Sequence, residues 1–247
     1  MIHIHHGIQV SGGVARKTED PVVIEDRFDL FLNDTLVTGI VASRDQLREL
    51  GAGYLVSEGI VRCVDKVTVD GNRILAWSDT GCDLRVKPRV TGSSGGTSFL
   101  VSLPRVESDI SLTPAEVSAV TGEIETELWR KTGGVHCSVL FRDNRLIAKS
   151  SDVGRHNTVD KLVGYAVLND IDLSRCVLGC TGRQPEGMVK KSAHAGIPVI
   201  VSRAATTDKG IATAEAANIT LVGFSRADRF TVYTHPERIR GIGDGKP

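Results

Sequence analysis

The densest chemistry in this chain lies in the run Asp152-Val-Gly-Arg-His-Asn157, between a strand pattern and a helix pattern. Arg155 and His156 beside a helix N-terminus make an anion pocket, because the free N–H groups there attract negative charge. The same run holds an Asp and a His, a pair suited to acid–base work. Asn157 is placed to cap the following helix, with Asp160 three residues on, as in a capping box. A second cluster, Cys180-Thr-Gly-Arg-Gln-Pro-Glu186, again joins a strand to a helix. A third, Phe224-Ser-Arg-Ala-Asp-Arg229, leaves another strand. Ligands of open α/β sheets bind beyond the carboxyl ends of the strands. The three clusters are therefore expected on one edge, with Arg155, Arg183, Arg226 and Arg229 facing an anionic ligand. Four solvated arginines are the alternative. No P-loop occurs and no G-x-G-x-x-G follows a strand, which disfavours an ordinary nucleotide enzyme. A hydrolase using Asp152 and His156 stays open, although no G-x-S-x-G motif is present.

The cysteines are Cys63, Cys82, Cys137, Cys176 and Cys180. No two form a C-x-x-C pair, and the number is odd, so a disulfide framework is not expected. Cys176 and Cys180 fall four apart in an apolar run and read as small buried hydrophobes on one strand face. Zinc would need two more soft ligands nearby, and no pair offers itself. His3, His5 and His6 could grip a metal but read as part of a mobile terminus.

The elements that must position these residues change in character along the chain. The first third is strand-rich. Hairpins are expected around Asn33-Asp34 and around Asp70-Gly71. Between them Ser43 should cap a helix beginning at Arg44, with Leu47, Leu50, Tyr54 and Leu55 at helical spacing and Gly59 after its end. Asp83 to Lys87 is a further strand candidate. Thr91-Gly-Ser-Ser-Gly-Gly-Thr97 is a loop with no side chain larger than threonine, either a tether or a functional loop. Thr113, Pro114 and Glu116 then start a helix whose stripe is Val117, Val120, Ile124 and Leu128, stopped by Gly133-Gly134. From Val135 onward short apolar strands alternate with helices, which predicts a sheet covered on both faces. The expected architecture is α/β, α+β overall: a strand-rich domain over 1–112 and a three-layer domain over 113–247.

The chain has 247 residues, with 30 Lys+Arg against 30 Asp+Glu. Zero net charge gives no steering toward nucleic acid or an anionic membrane. No apolar run approaches the length of a membrane span, and the N-terminus lacks the pattern of a secretory signal, so the cytoplasm is expected.

Four segments carry a family resemblance: Gly133-Gly-Val-His136, Asp152-Val-Gly-Arg-His-Asn-Thr-Val-Asp-Lys161, Ala195-Gly-Ile-Pro198 and Leu221-Val-Gly-Phe224. Their order and spacing resemble the formate dehydrogenase accessory sulfurtransferase family, the FdhD/NarQ group. The likeness is strong over 133–234 and traceable from about Asp29, including Leu55-Val-Ser-Glu-Gly-Ile60. It implies a cytidine-deaminase-like fold for the C-terminal domain, without the H-x-E and P-C-x-x-C zinc signature of true deaminases. It implies a homodimer that takes sulfur from a cysteine desulfurase and passes it to the bis-molybdopterin guanine dinucleotide cofactor of formate dehydrogenase. It also implies that Phe224, Ser225, Arg226, Ala227, Asp228 and Arg229 bind that cofactor, in agreement with the arginine edge and with Arg155, His156 and Arg183. The family's loop usually carries Thr-Gly-Cys-Gly-x-Cys-Gly, whose first Cys holds a persulfide. Ser93 stands at that position here and Gly96 at the second. A serine hydroxyl cannot form a persulfide. The resemblance therefore leaves two readings, a sulfur transferase and a chaperone that holds the molybdenum cofactor without moving sulfur. Cys82, eleven residues before Ser93, is a substitute carrier if the loop folds back.

Overall fold

The structure, a computed structural model, describes residues 2–79, 89–90, 97–98 and 102–242. It opens with an antiparallel hairpin of β1 (Ile2–Ser11) and β2 (Val14–Val23), turned at Gly12-Gly13. Both glycines have positive φ, as a tight hairpin turn requires. His3, His5 and His6 are thus strand residues and not a loose terminus. The alternation of Ile2 and Ile4 with His3 and His5 is the period of a strand, and this signal outweighs position in the chain.

Next come β3 (Asp26–Leu32), β4 (Thr35–Ala42), α1 (Leu47–Ser57), β5 (Lys66–Asp70) and β6 (Arg73–Trp77). The four strands form one sheet in the order β4-β3-β6-β5. Asn33 and Asp34 both take positive φ and turn the first hairpin as the sequence predicts. Ser43 does not cap α1. The helix begins three residues later than expected, behind Gln46 in the left-handed region, with no side-chain cap. The Ser43 backbone N–H instead donates to Asp152 Oδ2 at 3.0 Å, which pulls this segment toward the second half of the chain. β7 (Arg89–Val90) pairs antiparallel with β8 (Thr97–Ser98). Thr97 is therefore a strand residue and not the end of a loop. Ser93 and the rest of that loop, Cys82, and the strand candidate at 83–87 lie outside the described residues.

α2 (Pro114–Glu123) starts with the expected capping box. The Thr113 N–H donates to Glu116 Oε2 at 2.6 Å, and the Glu116 N–H donates to Thr113 Oγ1 at 3.2 Å. The single helix expected up to Gly133 is two. α2 ends at Glu123, and α3 (Glu127–Thr132) has its own cap, Thr126, whose hydroxyl accepts from the Trp129 N–H at 3.3 Å. A threonine able to bond the backbone locally competes with helix propagation. The Thr126 hydroxyl also lies 2.6 Å from Ser151 Oγ, which fixes the break against the sheet.

The remaining elements are β9 (His136–Arg142), β10 (Arg145–Asp152), α4 (Arg155–Leu168), β11 (Cys176–Cys180), α5 (Glu186–His194), β12 (Val199–Ser202), α6 (Asp208–Ala216), β13 (Thr220–Gly223) and β14 (Thr231–Thr234). The sheet order is β10-β9-β11-β12-β13-β14, with β11, β12 and β13 mutually parallel. Val117 and Val120 of α2, with Ile124 just after its end, share a cluster with Val139, Val177 and Val201 on one face. Leu162 of α4 and Met188 of α5 meet Leu140 and Leu178 on the other. This is the three-layer α/β arrangement expected. α1 crosses α4 at two glycines: a Cβ on Gly53 would fall 1.7 Å from the Asp160 carbonyl oxygen, and one on Gly164 1.8 Å from that of Glu49. Through this crossing one buried cluster runs from Phe28, Leu30 and Ile74 of the first sheet to Leu162 and Val163 of α4. Among the described residues no helix is long and apolar enough to cross a membrane.

Candidate functional site

β10, β11, β12 and β13 end at the same edge of the six-stranded sheet, because β9 runs antiparallel to both β10 and β11. At this edge lies a cleft of about 500 Å³ whose walls include Trp129, Gly134, His136, Thr181, Arg203 and Arg226. The edge is the one at which open α/β sheets take ligands.

Asp152 ends β10 and organises the turn into α4. Its Oδ1 accepts from the Gly154 N–H at 2.9 Å and from Asn157 Nδ2 at 2.7 Å. Its Oδ2 accepts from the Ser43 N–H and lies 2.6 Å from Lys161 Nζ, with both side chains fully buried. A carboxylate offers about four lone-pair sites, and all four are taken. Asp152 has no capacity left to orient His156, so the acid–base pair and the hydrolase built on it are not supported. Asn157 is not a cap either. It is the third residue of α4, and its Nδ2 also donates to the Val41 carbonyl at 2.8 Å. Asp160 makes no capping box. It is buried and accepts from Lys191 Nζ at 2.8 and 3.0 Å and from Ser57 Oγ.

With these groups engaged elsewhere, the N-terminus of α4 has no side-chain cap. Arg155 is its first residue. Gly182 allows the close approach: a Cβ there would sit 3.0 Å from Arg155 Cβ. Arg155 Nε is buried without a hydrogen-bond partner. Burial, and then the nearby Arg183 guanidinium, push the Arg155 pKa down. His136, whose Nδ1 lies 3.1 Å from Thr181 Oγ1, has its pKa lowered by burial and by Arg155, with Asp152 pulling weakly the other way. His156 is pushed down to about 3 by burial, and further by Lys191, Arg155 and His136. Two neutral imidazoles and two arginines thus meet at a free helix N-terminus. An anion would relieve the charge they share.

The run 224–229 is placed unevenly. Phe224 is exposed and holds φ +51°, a strained conformation for an aromatic residue. Ser225 is buried, with Oγ 2.6 Å from Thr121 Oγ1, and anchors the loop to α2. Arg226 lines the cleft and donates from Nη1 to the Arg203 and Ser225 carbonyls at 2.6 and 2.7 Å. Its own N–H donates to the Arg229 carbonyl, closing a turn on which Ala227, Asp228 and Arg229 are exposed. Arg183 is exposed beside Arg155. Sequence reasoning missed Arg203, which is ion-paired with Glu125, and Trp129 as a cleft wall, whereas Thr181 belongs to the second cluster it marked. Arg203 follows β12 directly, so the rule that picked out the other strand ends applies to it as well.

Cys137, Cys176 and Cys180 are buried and Cys63 is exposed. Burial pushes the Cys176 thiol up to about 11 and that of Cys180 to about 12. Thiols held protonated in this way are poor nucleophiles. Among the described residues no group of three or more His, Cys, Asp or Glu gathers as a metal site.

The model of the FdhD/NarQ family matches residues 23–240. The chain is 34% identical over 218 residues to "Protein FdhD" of Methanocaldococcus jannaschii, covering 87% of this chain and 89% of that one. It is 31% identical over 245 residues to "Sulfur carrier protein FdhD" of Bacillus subtilis, covering 92% and 94%. A crystal structure described as that of a formate dehydrogenase accessory protein from Desulfotalea psychrophila superposes with TM-score 0.84 at 28% identity, covering 96% of this chain and 99% of that one. The chain belongs to the FdhD/NarQ family.

Proposed function

We propose that this chain serves formate dehydrogenase maturation in the cytoplasm as a homodimeric accessory protein of the sulfur-carrier type. It takes sulfur from a cysteine desulfurase and hands it to the bis-molybdopterin guanine dinucleotide cofactor, which is its cargo. The observation that carries the reading is the uncompensated positive charge at the strand ends: Arg155 with a buried, unpartnered Nε, beside a cleft walled by Arg226 and His136. Phosphates of a dinucleotide need N–H donors and cations in this arrangement. Trp129 adds an aromatic wall for a guanine or pterin ring. The names carried by the relatives, sulfur carrier and formate dehydrogenase accessory protein, support the same role. Calorimetry with GDP is the test. Binding that weakens when Arg226 is replaced is expected; no heat at millimolar GDP overturns the cargo site.

Ser93 favours the second reading, a chaperone that holds the cofactor without carrying sulfur. A hydroxyl forms no persulfide, and burial holds the Cys176 and Cys180 thiols protonated. Incubation with a cysteine desulfurase and cysteine, followed by mass spectrometry, separates the two. A reductant-sensitive sulfur adduct on any Cys supports the carrier. An adduct that appears only in Ser93→Cys supports the chaperone and assigns position 93 the lost carrier role.

A further inference from the structure

We propose that the β1–β2 hairpin is an arm through which two copies of this chain hold each other; the inference rests on the homodimer reading above and names its surface. The hairpin pairs ten residues with ten, from Ile2 opposite Val23 to Ser11 opposite Val14. Residues directly opposite share a face. One face therefore gathers Ile2, Ile4, Ile8, Val10, Pro21 and Val23 around His6, Lys17 and Glu19, and the other carries His3, His5, Gln9, Arg16 and Asp20 with Val14 and Val22. That alternation belongs to a strand pair with one face buried. Yet Ile4 is 50%, Ile8 72% and Val10 66% exposed. A two-stranded hairpin alone is marginal in water, so this face needs a cover. The root is anchored: Val23 packs where a Cβ on Gly134 would fall 2.9 Å from it, beside the cleft.

The pattern of the face points to its own copy as the cover. Lys17 and Glu19 are the oppositely charged side chains on the apolar face, two residues apart on β2, with His6 Nδ1 3.8 Å from Glu19 Oε1 across the hairpin. A two-fold axis crossing the hairpin at the Gly7–Thr18 pair, with the apolar faces together, lays each Lys17 over the copy's Glu19. The same operation lays Ile4 over the copy's Val10, Pro21 over its Ala15 and Ile8 over its His6. A closed dimer requires this self-complementarity, with the same patch on both subunits. Ten residues at ~3.4 Å make a face about 34 Å long and about 10 Å wide. Two such faces cover roughly 700 Å² of flat footprint, at the small end of protein contacts. A face that must be covered whenever the chain is folded also needs a partner made in equal amount, which a second copy is.

Sedimentation velocity on the full chain tests the arm. The wild type is expected to be a dimer, and Ile4→Glu with Val10→Glu should weaken it by about a hundredfold or more, since two apolar contacts are lost from each copy. His5→Glu with Gln9→Glu, on the opposite face, should leave the dimer intact. Lys17→Glu alone should weaken it and the swap Lys17→Glu with Glu19→Lys should restore it, which decides the matter even where the apolar variant fails to fold. A dimer untouched by both Lys17→Glu and the apolar variant overturns the arm and leaves the homodimer reading standing. A monomeric wild type overturns the homodimer reading, and the arm with it.

Discussion

Two regions of this molecule, about one helix apart, handle charge in opposite ways. Between α1, α4 and α5, every buried charge is matched. Lys161 sits on Asp152 at 2.6 Å. Lys191 lies between Asp160, Glu58 and Ser57, with its ammonium 4.9 Å from the Tyr54 ring. Burial alone would lower the Lys191 pKa, but Asp160, Glu58 and Tyr54 outweigh it and raise the pKa above the ordinary lysine value. At the strand ends the balance is missing. Arg155 faces Arg183 and two imidazoles, its Nε has no partner, and both histidines are held neutral. The first region fastens the two halves of the chain, and a charge removed there leaves its partner stranded. The second leaves Arg155 Nε without a partner, and under the proposed function a charge removed there should cost ligand binding more than it costs the fold.

The sharpest way to break this contrast is Asp152→Ala. It strands Lys161 in the interior and should destabilise the fold by about 3–5 kcal/mol in urea titrations. A loss under about 1 kcal/mol would mean that the buried pair is not the fastener. Arg226→Ala should do the reverse. GDP affinity should fall by about 1.5–3 kcal/mol, the worth of a hydrogen bond to a charged group, while the urea midpoint stays nearly fixed. The acid limb of stability sharpens the account at His156. Its folded pKa of about 3 lies below the ordinary 6.5, so the unfolded chain binds a proton that the fold refuses. Stability should therefore fall as pH drops below about 6.5, by about 2 kcal/mol between pH 8 and pH 5. His156→Gln should flatten that limb, and bound GDP, by raising the His156 pKa in the folded chain, should shorten it. The smallest effect is expected away from both regions, at Thr113→Ala, which opens the α2 capping box for about 1 kcal/mol without touching GDP binding.

The fold was legible wherever a short-range signal decided it. Asn33-Asp34 turned its hairpin, Thr113 and Glu116 formed their box, and the apolar strands from Val135 onward were buried between helices. It was less legible where a distant partner competed for a residue. Asn157 has a cap's chemistry, but the Val41 carbonyl and the Asp152 carboxylate claim its amide. Ser43 has the same chemistry, and its segment is drawn to Asp152 from 109 positions away. The site was half legible. Motif density marked Arg155, His156 and Arg226, and the strand-end rule put them on one edge. That Asp152 is a structural acid and that His156 is neutral depends on burial, which sequence spacing does not carry.

The contrast turns on whether Arg155 and Arg226, neither paired with a carboxylate among the described residues, hold an anion without being needed by the fold. Calorimetry with GDP on the wild type and on Arg155→Ala with Arg226→Ala, each paired with a urea titration, addresses it most directly. The account expects GDP affinity to fall by at least about a hundredfold, two charged hydrogen bonds' worth, with stability unchanged within about 1 kcal/mol. Equal GDP affinity in the two proteins, or a collapse of stability in the variant, would contradict it.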